Sequence, residues 1–108
     1  MNFYPYEGPD DLAEVIDYAL CKVVDPEVSL NIVDVGLVQS VRVNDDVVNV
    51  NVTMTSAACP VTDTILADIE DRLDESLPAD YRIHVELQWE PAWTPERLSD
   101  SARRFMGW

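Results

Sequence analysis

The chain has 108 residues, of which 47% are apolar, and 21 acids against 7 lysines and arginines give a formal net charge of −14. That length and apolar share specify a single domain spanning 1–108 with one modest core, and they exclude a disordered chain. The charge excludes nucleic acid and anionic membrane surfaces as partners, because both would be repelled.

No apolar run is long enough to cross a bilayer, and the first residues lack a basic stretch followed by an apolar one, so no export signal is expected. The two cysteines, Cys21 and Cys59, do not make a disulfide framework. A reducing, cytoplasmic setting is the expectation.

Residues 1–10, with Pro5, Gly8 and Pro9, predict an irregular arm. Asp10 or Asp11 then predicts the cap of a first helix reaching about Val24. Leu12, Val15, Ile16, Ala19, Leu20 and Val23 recur at helical spacing and define one buried stripe, with Cys21 roughly opposite. Pro26 stops this helix, since the residue before a proline avoids the α region. A loop follows through Ser29 and Asn31 to Gly36, where glycine suits a positive φ or a close backbone approach. Taken alone, Asp25, Glu27 and Asp34 in this region read as turn and cap chemistry.

Residues 37–43 and 47–54 predict two strands of a hairpin turning at Asn44, Asp45 and Asp46. Val48, Val50, Val52 and Met54 share one face of the second strand, and Asn49, Asn51 and Thr53 the other. Residues 60–77 predict a second helix with Ile65, Leu66, Ile69, Leu73 and Leu77 inward. Residues 81–89 predict a third strand, with Ile83, Val85, Leu87 and Trp89 on the core face and Arg82, His84, Glu86 and Gln88 on the other. Thr94 and Pro95 predict the start of a last helix with Leu98, Ala102 and Phe105 as its stripe and Gly107 as its stop. Trp93, stiffened by Pro91 and Pro95, is expected to be buried and, with this last helix, to cover a sheet or helix edge.

A helix between two strands implies a right-handed crossover and a parallel pair, while the hairpin is antiparallel. The expected fold is therefore α+β: a two-layer sandwich in the order helix-strand-strand-helix-strand-helix, with a three-stranded mixed sheet.

One position carries distinctive chemistry. In Thr55-Ser56-Ala57-Ala58-Cys59-Pro60, small residues leave a strand and a proline suits the first position of a helix. Cys59 thus stands at or beside the N-cap, where partial positive charge and free N–H groups favour thiolate. The same residue also reads as a small buried hydrophobe. His84, the one histidine, sits on the polar side of a strand and reads as a surface residue. Three widely spaced Cys and His residues cannot make a four-ligand zinc site. No phosphate-binding or dinucleotide fingerprint is present.

Four stretches taken in order then become distinctive together: Asp25-Pro26-Glu27, Asn31-Ile32-Val33-Asp34-Val35-Gly36-Leu37-Val38, Thr53-Met54-Thr55-Ser56-Ala57-Ala58-Cys59-Pro60 and Trp89-Glu90-Pro91-Ala92-Trp93-Thr94-Pro95. With these, the chain resembles the PaaD-like/SufT family of metal–sulfur cluster assembly proteins over roughly residues 11–107. The resemblance implies the stand-alone, single-domain type, because the cysteine-rich C-terminal extension of longer PaaD members and a fused ATPase are both missing from these residues.

It implies a non-enzymatic factor in iron–sulfur cluster assembly or targeting that helps mature client proteins. Cys59 matches the family's functional cysteine and would be the transient metal or cluster ligand, or a docking contact. Asp25, Glu27, Asp34 and Thr55 match its supporting residues. The implied partners are the assembly machinery, client iron–sulfur proteins and a possible homodimer. A [2Fe–2S] cluster usually takes four protein ligands, so one Cys59 per chain could hold a cluster only transiently or with help from a second copy or partner.

Two other classes remain open at this stage. One is an interaction adaptor that binds no cluster, and the other is a thiol-dependent redox or transfer protein. The latter lacks a second, resolving cysteine near Cys59. A KH-like nucleic-acid module shares the helix-strand-strand-helix order but is opposed by the charge and by the lack of a Gly-x-x-Gly loop.

Overall fold

The computed structural model describes residues 4–25, 29–54, 62–90 and 93–107, with Pro95 and Met106 described by their backbone alone. In chain order the elements are β1 (Tyr6–Glu7), α1 (Asp10–Leu20), β2 (Val24–Asp25), β3 (Leu30–Asn31), α2 (Ile32–Val35), β4 (Val38–Asn44), β5 (Val47–Val52), α3 (Thr62–Ser76), β6 (Arg82–Leu87), a 3-10 turn (Pro95–Arg97) and α4 (Asp100–Met106).

The α+β class holds, but among the described residues the main sheet has four strands, in the order β1-β4-β5-β6, and a second two-stranded sheet joins β2 and β3. β4 and β5 form the expected antiparallel hairpin, and β5 and β6 pair in parallel across the α3 crossover. The added strand comes from the arm expected to be irregular. Tyr6 and Glu7 lie parallel to Val41 and Arg42, and the Val41 amide donates to the Pro5 carbonyl at 3.0 Å. Two paired residues flanked by prolines and a glycine are too short a run for alternation to reveal.

Tyr4, just before that strand, is buried in the core and donates its hydroxyl to Asp17 Oδ1 at 3.0 Å. Burial first, and the Asp17 charge second, push this phenol well above its usual range.

α1 ends at Leu20, not at Val24, and it starts behind Pro9 with no side-chain cap from Asp10 or Asp11. Its stripe is nevertheless the one read from spacing. Ile16, Ala19 and Leu20 are buried, Leu12 and Val15 pack against them half-buried, and Val23 stays buried beyond the helix end. α1 packs on α3, and α3 on β6. Val48, Val50 and Val52 of β5 are wholly inaccessible, as are Ile69 and Leu73 of α3. Burying an aliphatic side chain of this kind contributes about 1.5–3 kcal/mol relative to exposure.

Two apolar assignments fail at the C-terminal side. β6 stops at Leu87, so Trp89 lies beyond the strand and is 43% exposed, and Phe105 on α4 is 64% exposed. The last helix also begins later than Pro95. Ser99, and not Thr94, caps α4 by accepting from the Ala102 amide at 3.1 Å. Leu98 and Ala102 are buried as expected.

The segment expected to be a plain loop holds the β2–β3 pair and the single turn of α2, which Asn31 opens and Gly36 closes with φ of 85°. A Cβ at Gly36 would overlap the Arg97 carbonyl oxygen and lie 2.6 Å from the Arg97 Cβ. Glycine is required twice over here, for its dihedral angle and for the approach of a second backbone.

Gly36→Ala is expected to lower stability by more than the ~1–2 kcal/mol of a left-handed alanine alone, because the Arg97 backbone must also move. Urea unfolding of the purified variant measures this, and a loss below about 1 kcal/mol would show that the two segments separate freely.

A second expectation concerns alkaline pH. An unfolded tyrosine ionises near pH 10, but Tyr4 in the fold holds its proton above that. The folded state therefore binds the proton more tightly, and its contribution is complete below about pH 10 and lost as pH rises further. The unfolding midpoint of the native protein should fall more steeply above about pH 10 than that of Tyr4→Phe.

Candidate functional site

The loop from Asn31 to Leu37 is the best-defined part of the candidate site. Asn31 Oδ1 accepts from the Asp34 amide at 2.9 Å, and Asn31 Nδ2 donates to Asp34 Oδ2 at 2.7 Å. This reciprocal pair resembles a capping box, with the side chain of the third helical residue reaching back to the cap. It fixes the half-buried Asp34 carboxylate through a residue three positions earlier. Asp25, by contrast, is 1% exposed within β2, and its carbonyl accepts from the Ser29 amide at 2.8 Å.

The C-terminal segment is strapped across this loop. The Trp93 indole Nε1 donates to the Val35 carbonyl at 2.7 Å, and the ring packs half-buried on the core. Arg97 Nε donates to the Gly36 carbonyl at 2.6 Å and its Nη2 to the Val38 carbonyl at 3.2 Å. The Ser99 amide donates to the Asp34 carbonyl at 2.8 Å. Carbonyls at the end of a one-turn helix have no partner within the helix. Here an indole and a guanidinium satisfy them.

The exit of β5 meets the same loop. The Thr53 amide donates to the Leu37 carbonyl at 2.8 Å, and Met54 is buried. Thr53 itself is fully buried, and among the described residues its hydroxyl has no hydrogen-bond partner. Alternation places Thr53 with Asn49 and Asn51, which are half-buried, so its complete burial marks where the wet face of the sheet closes over. The structure thus joins the Asn31–Leu37 loop, the strand end that leads into the cysteine motif and the Trp93 segment.

Cys59, Thr55 and Glu27 lie outside the described residues. Among the described residues, no three His, Cys, Asp or Glu side chains converge in a group that could hold a metal ion. His84 is exposed on β6, as its alternation implies.

A family model described as iron–sulfur cluster assembly protein matches residues 13–86. The chain belongs to that family. The Fe-S protein maturation auxiliary factor YitW of Bacillus subtilis is 35% identical over 97 residues, covering 89% of this chain and 94% of YitW. The Fe-S protein maturation auxiliary factor SufT of Staphylococcus aureus is 36% identical over 86 residues, covering 79% of this chain and 97% of SufT.

Among solved structures, a domain of unknown function from Bacillus anthracis superposes with a TM-score of 0.84 at 30% identity, covering 91% of this chain and 93% of that one. A conserved hypothetical protein from Thermotoga maritima superposes with a TM-score of 0.75 at 36% identity, covering 89% and 94%. The SufT/PaaD-like resemblance read from four motifs is thereby established at the level of the iron–sulfur cluster assembly family. The Trp93–Ser99 strap lies beyond the residues that the family model matches.

Sequence reasoning missed Arg97 and Ser99, which hold the family loop through backbone atoms. A single arginine and a single serine at these positions carry no periodic or motif signal, and only the close approach at Gly36 hinted that another backbone lay against it.

Cys21 is exposed, as its place opposite the apolar stripe implied. Partial desolvation, then the charges of Asp17 and Asp34, push its thiol up to about 11. At pH 8 it is therefore almost wholly protonated despite its exposure. Its alkylation rate is expected to climb about tenfold per pH unit from pH 7 toward its pKa, while Cys59 should react with a lower-pH profile. Site-resolved mass spectrometry after timed alkylation measures both, and a Cys21 rate that levels off near pH 8 would contradict the environment described.

Proposed function

We propose that this protein is an auxiliary maturation factor for iron–sulfur proteins, acting as a cluster-handling or client-docking factor and not as a catalyst. The observation that carries the reading is identity of about a third, over most of both chains, to YitW, to SufT and to a third protein named Fe-S protein maturation auxiliary factor from Porphyromonas gingivalis. Its partners on this reading are components of the cluster assembly machinery and the clients that receive clusters.

Cys59 is the residue on which the chemistry rests. Thiolate is the cluster-binding form of cysteine, and the helix start that the sequence predicts at Cys59 would favour it. A chain offering one such thiol holds a cluster loosely, which suits handover and leaves the cluster as cargo. Thr55 and Glu27 are proposed to support Cys59, in line with the family match.

The roles of Asp25 and Asp34 follow from their surroundings. Asp34 has one carboxylate oxygen committed to Asn31, and its first contribution is to hold the loop in shape. Asp25 is buried in β2, where it helps shape the same region. The commitment of Asp34 also favours a second reading, in which the loop is a docking surface and Cys59 a contact within it, with no cluster bound.

Anaerobic incubation with iron and sulfide, followed by transfer to an apo-client enzyme, separates the readings. Wild type is expected to bind cluster and activate the client. Cys59→Ser is expected to lose cluster binding and to slow activation at least about tenfold, with its melting temperature nearly unchanged, because the change leaves little or no cavity. Activation by Cys59→Ser at the wild-type rate would overturn the role of Cys59. Wild type that activates the client without ever binding cluster would select the docking reading.

A further inference from the structure

β6 is the outer strand of the main sheet, and among the described residues no strand pairs with its far edge. It is six residues long and pairs with β5 without a bulge. Natural edge strands of this kind are usually blunted by proline, a bulge, charged side chains or a cover. No proline or bulge interrupts Arg82–Leu87, and its two charged side chains, Arg82 and Glu86, are of opposite sign. The strand is also incompletely covered on its core side. Tyr81, Ile83, Val85 and Leu87 are only half-buried, whereas Val48, Val50 and Val52 on the neighbouring strand are wholly buried.

The direction of the free backbone groups follows from two bonds. The Arg82 amide donates to the Asp46 carbonyl and the Gln88 amide to the Val52 carbonyl, each at 2.7 Å. Even-numbered residues of β6 therefore point their backbone groups toward β5, and residues 81, 83, 85 and 87 point theirs outward. In an antiparallel pair, residues directly opposite share a face, and outward-pointing residues must meet outward-pointing residues.

We propose that β6 pairs with β6 of a second copy of this chain, antiparallel about a two-fold axis through His84. In that register Ile83 lies opposite the second copy's Val85, Tyr81 opposite its Leu87, and Arg82 opposite its Glu86. By symmetry each of these pairs occurs twice, as an isologous interface requires. The odd-numbered pairs are the hydrogen-bonded ones and close the half-covered apolar row. The Arg82–Glu86 pairs are non-hydrogen-bonded ones, in which side chains stand closest.

Sliding by one step in either direction loses this match. One slide sets Arg82 against Gln88, and the other sets Arg82 against His84 and Glu86 against Asp80. The partner is thus a second copy because the strand is complementary to itself in sequence, in face and in hydrogen-bonding parity. The inference goes beyond the maturation role and stands on different residues.

Sedimentation equilibrium over a concentration series, with denaturant unfolding as the control for fold, tests it. Wild type is expected to dimerise reversibly. Arg82→Glu and Glu86→Arg each set like charges opposite one another and are expected to weaken dimerisation at least about tenfold. The double variant Arg82→Glu/Glu86→Arg restores opposite charges and is expected to recover the wild-type constant. Both side chains are exposed, so the folded monomer should be little changed. Monomeric wild type at the highest concentrations, or single variants that dimerise like wild type, would overturn the proposal. So would a double variant no tighter than the singles.

Discussion

The contact between Gly36 and Arg97 is the constraint on which the candidate site depends. Sixty residues of sequence separate these two backbones, and they meet at a distance that no other side chain at position 36 would permit. The arginine that lies there spends its guanidinium on the carbonyls of Gly36 and Val38. Two further bonds, from Trp93 to Val35 and from Ser99 to Asp34, extend the seam on either side. A hydrogen bond of this kind adds about 0.5–1.5 kcal/mol net, but an unpaired buried carbonyl costs about 1–3 kcal/mol. The strap therefore stabilises the loop most by preventing that cost.

This arrangement explains how so short a helix persists. A single turn cannot form alone in water, because nucleation fixes several residues for one hydrogen bond. α2 has only four residues, but its start is closed by Asn31, its end by Gly36 in the left-handed region, and its outer carbonyls by Trp93 and Arg97. Ile32, Val33 and Val35 then bury their side chains beneath it. Order in the loop is tertiary in origin. The Asp34 carboxylate inherits that order through Asn31, and the exit of β5 inherits it through Leu37.

What the sequence disclosed follows from the range of the forces involved. The α1 stripe, the alternation of β5 and the α3 stripe are set by burial, which repeats with a fixed period, so they were legible. Gly36 was legible for the same kind of reason, since few structural demands call for glycine there. The strand at Tyr6–Glu7 was hidden because two residues show no period, and its pairing with β4 is decided by distant neighbours. Trp89 and Phe105 were misassigned because a helical or alternating pattern was extended past the point where the element stops or turns outward. The Arg97 clamp was invisible because a side chain that binds backbone carbonyls can recognise almost any sequence. The family motifs were legible as a resemblance, and Cys59 among them lies outside the described residues.

The charge of −14 is not spread evenly over the fold. The exposed positions of α1 and α3 include Asp10, Asp11, Glu14, Asp63, Glu70, Asp71, Asp74 and Glu75. The open face of the sheet instead carries Arg42, Arg82 and His84 beside Glu7 and Glu86, and Arg42 pairs with Glu7 at 3.0 Å. A field of this shape draws basic surfaces toward the helix layer and is screened by salt over roughly 10 Å. It also opposes contact between two copies anywhere their helix layers would meet. The open face of the sheet is where acids are most nearly balanced by bases, whereas on the helix side Glu70, Asp71 and Asp74 line a recess with Tyr81, Arg82 and Ile83. The same uneven charge that would steer a basic partner to one layer therefore leaves the opposite layer as the place where like molecules repel each other least.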